Sequence, residues 1–254
     1  MRRKNARFGW IPDLPDQRDH MFAAPAAVTG PLPAAIDLRS KCPPVYSQGQ
    51  LGSCTANAIG AAIQFDRLKQ RLPNLMPSRL FIYYNERDME GTIKSDGGAQ
   101  IRDGIKSVAQ QGVCPESDWP YVVGKFDQTP PAKAYQDALL NRAVSYQRVV
   151  QTLSELKGCL ASGYPFVFGF TVYESFESPA TGRSGHATLP ASGEQVVGGH
   201  AVMGVGYSDA RQWIVVRNSW GPGWGLKGYF TLPYAYVTQA GLASDFWTVR
   251  LVGK

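Results

Sequence analysis

The sequence predicts an α+β protein with a helical first half and a sheet-rich second half. Three observations predict it. Residues 55–111 hold three stretches with helical character, residues 166–232 break into short β-branched and aromatic runs, and glycine and proline punctuate the second set more heavily than the first. Helices that precede strands, rather than alternating with them, are the mark of this class, and two such lobes meet at a cleft.

The elements follow in order. Residues 1–31 carry Pro12, Pro15, Pro25 and Pro31 with Asp13, Asp16 and Asp19, and read as extended chain poor in regular structure. Phe8, Trp10, Ile11 and Phe22 punctuate that arm with apolar groups. Residues 55–71 read as a helix, because Ile59, Ile63 and Leu68 make an apolar stripe and Pro73 follows. The alanines of its first turns predict close packing on all sides. Residues 78–88 and 100–111 are the next helices, the latter stopped by Gly112. Strands are expected at 166–173, 200–207, 213–217 and 228–232, with a polar loop at 178–194.

Composition narrows the function. The chain has 254 residues, 44% of them hydrophobic, enough for one or two domains with a real core. Its net charge of +6 is dispersed apart from Arg2, Arg3, Lys4 and Arg7, a cluster that reads as a solvated arm rather than a nucleic-acid site. The longest apolar run, residues 164–173, is strand-sized, so no membrane span is expected. No apolar segment follows the basic N-terminus, so no signal peptide is visible, and both secreted and cytoplasmic locations stay open. Four cysteines are sparse for a disulfide-dependent fold. Cys42 and Cys114 each precede a proline in loop-like sequence and are a possible pair, while Cys159 reads as a small buried hydrophobe. Three histidines, none near a cysteine pair, give no zinc pattern, and no metal or organic cofactor is expected.

Four short segments carry chemistry. In 48–55, Gln-Gly-Gln-Leu-Gly-Ser-Cys-Thr, a glycine-punctuated loop delivers Cys54 to a helix start. Free backbone N–H groups and the helix dipole there favour thiolate, as a nucleophile needs, although a small core residue reads equally well. In 197–202, Val-Gly-Gly-His-Ala-Val, His200 heads a strand, where a lone histidine is also a common structural residue. In 218–225, Asn-Ser-Trp-Gly-Pro-Gly-Trp-Gly, Asn218 ends a strand and is placed to accept an imidazole N–H, or is a polar turn beside a packed tryptophan. In 95–98, Ser-Asp-Gly-Gly, two glycines permit close approach of another backbone.

The order Gln-Gly-x-x-Gly-Ser-Cys, Gly-Gly, His-Ala, Asn-Ser-Trp-Gly resembles the papain-like cysteine peptidases, from about Leu32 to the C-terminus. The resemblance implies a two-lobed papain-like fold, with a helical lobe over about 32–130, a β-barrel-like lobe over about 131–254, and the active-site cleft between them. It implies Cys54 as nucleophile, His200 as general base, Asn218 as its orienting group and Gln48 as an oxyanion donor. Trp220 matches the tryptophan that shields the histidine–asparagine bond. Gly97 and Gly98 match the wall that pairs with substrate. Ala99, Gln100, Gly169, Gly198 and Ala201 match a small-walled specificity pocket, with Gly199 also among the substrate-binding residues; Asp245 falls at the pocket's floor, open to a substrate arginine or a large apolar residue, or is an exposed loop aspartate. Two departures stand out: Leu51 and Ser95 replace a bridging half-cystine pair, and Thr55 replaces the aromatic after the nucleophile.

The function expected is therefore a cysteine endopeptidase, a monomer acting on peptides or proteins, without nucleic-acid or membrane partners. Residues 1–31 precede the family-like start and are too short and proline-rich for a helical pro-domain. They are expected to lie in the cleft as a zymogen-like restraint, released by cleavage or displacement, rather than as a tail or a strap on the back of a lobe. Competing readings are a catalytically silent binding protein of the same fold and an amidase or peptide ligase using the same thioester. Serine hydrolysis lacks a Gly-x-Ser-x-Gly elbow, and Gly204-Val205-Gly206 is an incomplete nucleotide motif.

Overall fold

The computed structural model describes residues 8–23 and 31–253. The basic cluster at Arg2–Arg7 and Pro25 lie outside them. The arm contributes a two-residue strand, β1 (Trp10–Ile11), and β2 (Ala35–Asp37) follows it. Three helices then build one wall of the molecule: α1 (Cys54–Lys69), α2 (Arg79–Met89) and, after the short β3 (Ala99–Gln100), α3 (Ile101–Gln111). Their limits fall close to the sequence expectation. Ser78 sets the start of α2, its hydroxyl accepting the Phe81 N–H at 3.1 Å. Gly112 ends α3 at φ +79°, where a Cβ would lie 1.8 Å from the Ala138 carbonyl oxygen.

The second half adds α4 (Ala132–Ala138), β4 (Arg142–Arg148), α5 (Leu153–Ala161), β5 (Phe166–Tyr173), α6 (Pro179–Ser184), β6 (Val196–Ser208), β7 (Trp213–Arg217), β8 (Tyr229–Pro233), α7 (Tyr234–Thr238) and β9 (Ala243–Gly253). The sheet runs β4-β9-β5-β6-β7-β8, all antiparallel, with β2 paired to β6 off that path. β4 and β8 do not meet, so the expected barrel-like lobe is an open, mixed α+β arrangement rather than a closed barrel. The outer edge of β8 is instead met by the segment at 185–187, through a bridge from His186 to Thr231. The stretch read as a polar loop contains α6, capped by Ser178 and started by Pro179. Gly204-Val205-Gly206 lies inside β6, not in a phosphate-binding loop.

α1 lies between the two walls, against α2 and α3 on one side and β6 and β9 on the other. Its alanines make this possible: Ala56, Ala58, Ala61 and Ala62 are all buried, and only the last two residues of the helix escape burial. The sheet side of the core is aromatic, with Phe168 stacked on Phe246 at 5.1 Å and Phe170 packed edge-on to Phe176. All four cysteines are free, including Cys42 and Cys114, and Cys159 is fully buried. Among the described residues no helix is long and apolar enough to cross a membrane, and no group of three or more potential metal-ligating side chains assembles.

Candidate active site

Cys54 is the first residue of α1, which places its sulfur where N–H groups lack helical partners. The preceding loop turns at Gly49 (φ +60°) and is tied to the strand wall by the Gln48 N–H, which donates to the Ser219 carbonyl at 2.9 Å. The backbone N–H groups of Ala201, Gly9 and Thr55 point to the thiol. The thiol therefore stands beside the residue that follows His200.

His200 lies on β6 opposite Phe170 of β5. Its Nε2 bonds Asn218 Oδ1 at 2.8 Å. The same oxygen accepts the Ser219 N–H at 2.8 Å, which fixes the amide orientation and so assigns the proton to Nε2. Trp220 stacks on the imidazole, 4.9 Å between centroids and 27° between planes. Nδ1 is buried and has no hydrogen-bond partner. Gln48 is oriented from the other side: Ser219 Oγ–H donates to its Oε1 at 2.6 Å, and its Nε2 donates to Leu51 O at 2.9 Å.

The arm covers this group. Gly9 is pressed between Gly52 and Gly98, where a Cβ on Gly9 would fall 1.8 Å from Gly52 O. Its carbonyl accepts the Ala99 N–H at 2.8 Å, and Trp10 and Ile11 pair in parallel with Ala99 and Gln100. Gly98 is the glycine that needs its freedom: at φ +92° a Cβ would meet the Gly9 oxygen at 2.0 Å, whereas Gly97 meets only Ser95. Phe8 lies against Gly198, 5.9 Å from the His200 ring and 6.0 Å from Trp220.

The Trp10 indole occupies the space left by missing side chains, with Gly169 and Gly199 under it. The register explains the pocket: Gly169 stands opposite Ala201 on one side and Ser244 on the other, which brings Asp245 to the floor. Asp245 is 3% exposed and adopts a left-handed φ of +58°, a strained backbone for a non-glycine residue. Its Oδ2 accepts Trp10 Nε1–H at 3.0 Å and the Asp13 N–H at 2.8 Å. Its Oδ1 accepts from Arg148 at 3.1 Å. Gln100 Oε1 accepts the Leu14 N–H at 3.3 Å.

Burial sets the protonation. It pushes the Cys54 thiol up to about 12 against the help of the three N–H groups. It pushes His200 down to about 4 against the help of Asn218. Thiol and imidazole are both neutral in this state.

Several residues at the site were not marked by the sequence. Asp96 Oδ1 accepts the Gly52 N–H at 2.8 Å and the Tyr83 hydroxyl at 2.7 Å. Glu86 is fully buried and accepts the Thr55 hydroxyl at 2.6 Å, and burial pushes its carboxyl well above the ordinary range. Thr55, noted as the missing aromatic, thus has a partner of its own. Arg102 and Arg148 bind the arm's Asp19, Arg102 through two bonds at 3.0 and 2.6 Å and Arg148 at 3.1 Å. Each of these bonds joins residues distant in sequence, so residue spacing carries no trace of them.

Known proteins share this fold. The family model described as papain family cysteine protease matches residues 32–249. A peptidase C1-like protein of Acanthamoeba polyphaga mimivirus, itself uncharacterised, is 45% identical over 96% of this chain and 87% of its own length. The crystal structure of xylellain, a cysteine protease from Xylella fastidiosa, has 44% identity and a TM-score of 0.92 over 98% of both chains. Bovine pro-cathepsin H is 29% identical over 80% of this chain, which spans 61% of that relative. On these matches and this fold, the chain belongs to the papain family of cysteine proteases.

Proposed function

We propose that Cys54, His200, Asn218 and Gln48 hydrolyse peptide bonds through a Cys54 thioester, in an endopeptidase held latent by its own N-terminal arm. The observation that carries the reading is the division of labour on His200. One ring nitrogen is committed to Asn218, and the other is unpaired on the residue next to the thiol's Ala201 donor. Once water enters the cleft, the proton moves from sulfur to Nδ1 and the pair becomes thiolate and imidazolium. The sulfur attacks the scissile carbonyl, and the oxyanion forms between the Cys54 N–H and the Gln48 side-chain amide. His200 protonates the departing amine, then takes a proton from the water that opens the thioester.

Latency rests on occupancy and on charge. Phe8, Gly9 and Trp10 fill the cleft beside Cys54, and the Gly9 carbonyl is spent on Ala99 rather than on the oxyanion donors. The arm also keeps both catalytic groups dry and neutral. Activation follows displacement of residues 1–31 or cleavage before Leu32, with residues 32–254 as the peptidase domain. The pocket reads best as a site for an aromatic residue carrying a donor, as Trp10 does. Arg148 already balances the Asp245 charge, which lowers the gain from a substrate arginine.

The test compares the full-length protein with full-length Trp10→Ala. A fluorogenic dipeptide reports turnover, and iodoacetamide reports the Cys54 thiol. Loosening the arm raises both rates. If neither rate moves, the arm is a structural strap. If Cys54→Ala retains the peptidase activity, the catalytic assignment is wrong.

A further inference from the structure

The arm's acidic residues dock on two arginines whose role outlasts the arm. Every hydrogen bond that the Arg102 guanidinium makes among the described residues goes to the arm: two to the Asp19 carboxylate and one to the Leu14 carbonyl. Arg102 is 5% exposed beneath it. Arg148 divides its guanidinium between Asp19 at 3.1 Å and Asp245 at 3.1 Å, with Asp13 at 3.8 Å. Both guanidinium groups lie over the Trp247 ring, at 5.8 and 5.5 Å, which fixes their planes at the edge of the pocket. When the arm leaves, Asp13 and Asp19 leave with it. The two arginines then keep Asp245, paired with Arg148, and Asp103, the neighbour of Arg102 on α3, and lose both arm carboxylates, on a ready-made apolar shelf.

The place of this cation pair along the cleft follows from the arm. Gly9 lies at Cys54, Trp10 fills the pocket, and Asp13, three residues further on, reaches Arg148 and the Arg102 N–H. The arginines thus sit beyond the pocket, on the side away from the reacting sulfur. A planar guanidinium is suited to a carboxylate through two parallel bonds, as Arg102 and Asp19 display.

We propose that Arg102 and Arg148 form an anion clamp that selects substrates with acidic side chains just upstream of the residue in the Asp245 pocket. The inference deepens the peptidase reading and rests on it. Substrate class follows: a peptide with one or more Asp or Glu residues one to three positions before an aromatic residue, cut one residue after that aromatic. The arm presents the same aromatic and acidic groups in reversed order, Trp10 before Asp13 and Asp19, and so occupies the same subsites while running opposite to a substrate.

The experiment uses the full-length protein and three fluorogenic peptides that differ only upstream of the tryptophan: Asp-Asp-Asp-Trp-Ala, Asn-Asn-Asn-Trp-Ala and Lys-Lys-Lys-Trp-Ala, each ending in a coumarin amide. The readout is the ratio of kcat/KM values. A docked arm competes with all three and scales each kcat/KM equally, so the ratio does not depend on how much arm is released. The clamp predicts an Asp-to-Asn ratio of about tenfold, carried by KM, and a Lys peptide slower than either. The ratio falls toward one as sodium chloride is raised, a measurement that needs no variant. Arg102→Gln collapses the ratio, while Arg102→Lys, which keeps the charge but not the fork, retains part of it. Equal kcat/KM for the Asp and Asn peptides in the wild type overturns the clamp and leaves the peptidase intact. Absence of any cleavage, in the wild type and in Trp10→Ala, overturns the peptidase reading and the clamp with it.

Discussion

The catalytic group and the rim of the pocket beside it are built on opposite plans. Around His200 the partners come from the domain itself. Asn218 holds the imidazole, the Ser219 N–H holds Asn218, Ser219 Oγ holds Gln48, and Trp220 covers the ring. Around Asp245 the partners come largely from the arm: Trp10, Asp13 and, through the arginines, Asp19. The difference teaches that chemistry and recognition are stored separately. Removing the arm leaves the first network whole and strips the second of most of its partners. On the proposed latency, the arm would occupy the recognition groups while leaving the His200–Asn218–Gln48 network undisturbed.

The sharpest way to break this comparison is at the catalytic group. Cys54→Ala and His200→Ala are each expected to lower turnover by about 10⁴-fold or more in the arm-loosened protein, with unchanged thermal unfolding. Gln48→Ala is expected to cost about 10²–10³ in kcat with little change in KM, since the donor acts on the oxyanion. A Gln48 variant that altered KM alone would place that side chain in substrate binding instead.

The arm gives the next largest effect, in the opposite direction. Trp10 buries an indole against Gly169 and Gly199 and donates to Asp245. Truncation of a buried aromatic costs about 3–5 kcal/mol, which shifts docking by about 10²- to 10³·⁵-fold. Cys54 alkylation at neutral pH should rise by up to that factor in full-length Trp10→Ala.

A pH titration separates the two regions further. With the arm docked, thiol and imidazole are neutral; undocked they form the thiolate–imidazolium pair, so Cys54 and His200 together hold the same number of protons in both states and add little pH dependence to docking. Docking raises Asp13 from 3.8 to about 6, because burial and the Asp245 carboxylate oppose its charge, against bonds from Trp247 and Arg102. The docked protein then binds more protons at Asp13, and docking weakens as pH rises through 3.8 to 6. The wild-type arm should therefore dock more tightly in acid and loosen as pH rises from about 4 to 6, read as alkylation rate against pH. Asp13→Asn should flatten that profile. A profile unchanged in the variant would show that Asp13 is already ionised when docked.

Legibility in the sequence follows the same division. Cys54, His200, Asn218 and Gln48 sit in short contiguous motifs, and α1, β5 and β7 announce themselves by alanine content or β-branched runs. Arg148 lies in β4, whose residues Arg142–Arg148 alternate too weakly to mark a strand, and β9 (Ala243–Gly253) carries a left-handed aspartate as its third residue. Arg102 looks like any surface helix residue until Asp19, 83 positions earlier, covers it. Long-range ion pairs leave no periodicity, so the recognition rim was visible only at its glycines and Asp245.

The smallest expected effect concerns the loop that carries Cys54. Where related enzymes place a disulfide, this chain has Leu51 and Ser95, and all four of its cysteines are free. One residue along on each side, the Gly52 N–H donates to Asp96 Oδ1 at 2.8 Å, and Tyr83 donates to the same oxygen at 2.7 Å. The carboxylate thus joins the Cys54 loop, α2 and the Gly98 wall without a covalent bond. Asp96→Ala would leave a part-buried N–H and a phenol without their acceptor, at a cost of about 1.5–3 kcal/mol. The loss should appear as a lower melting temperature and a several-fold fall in kcat/KM in the arm-loosened protein. Asp96→Asn keeps a carbonyl acceptor and should recover most of both. Reductant should shift neither protein's melting temperature, since no cystine contributes. If Asp96→Ala melts and turns over like the wild type, the loop is held by its packing against Ser219 and the strand wall, and the carboxylate is incidental.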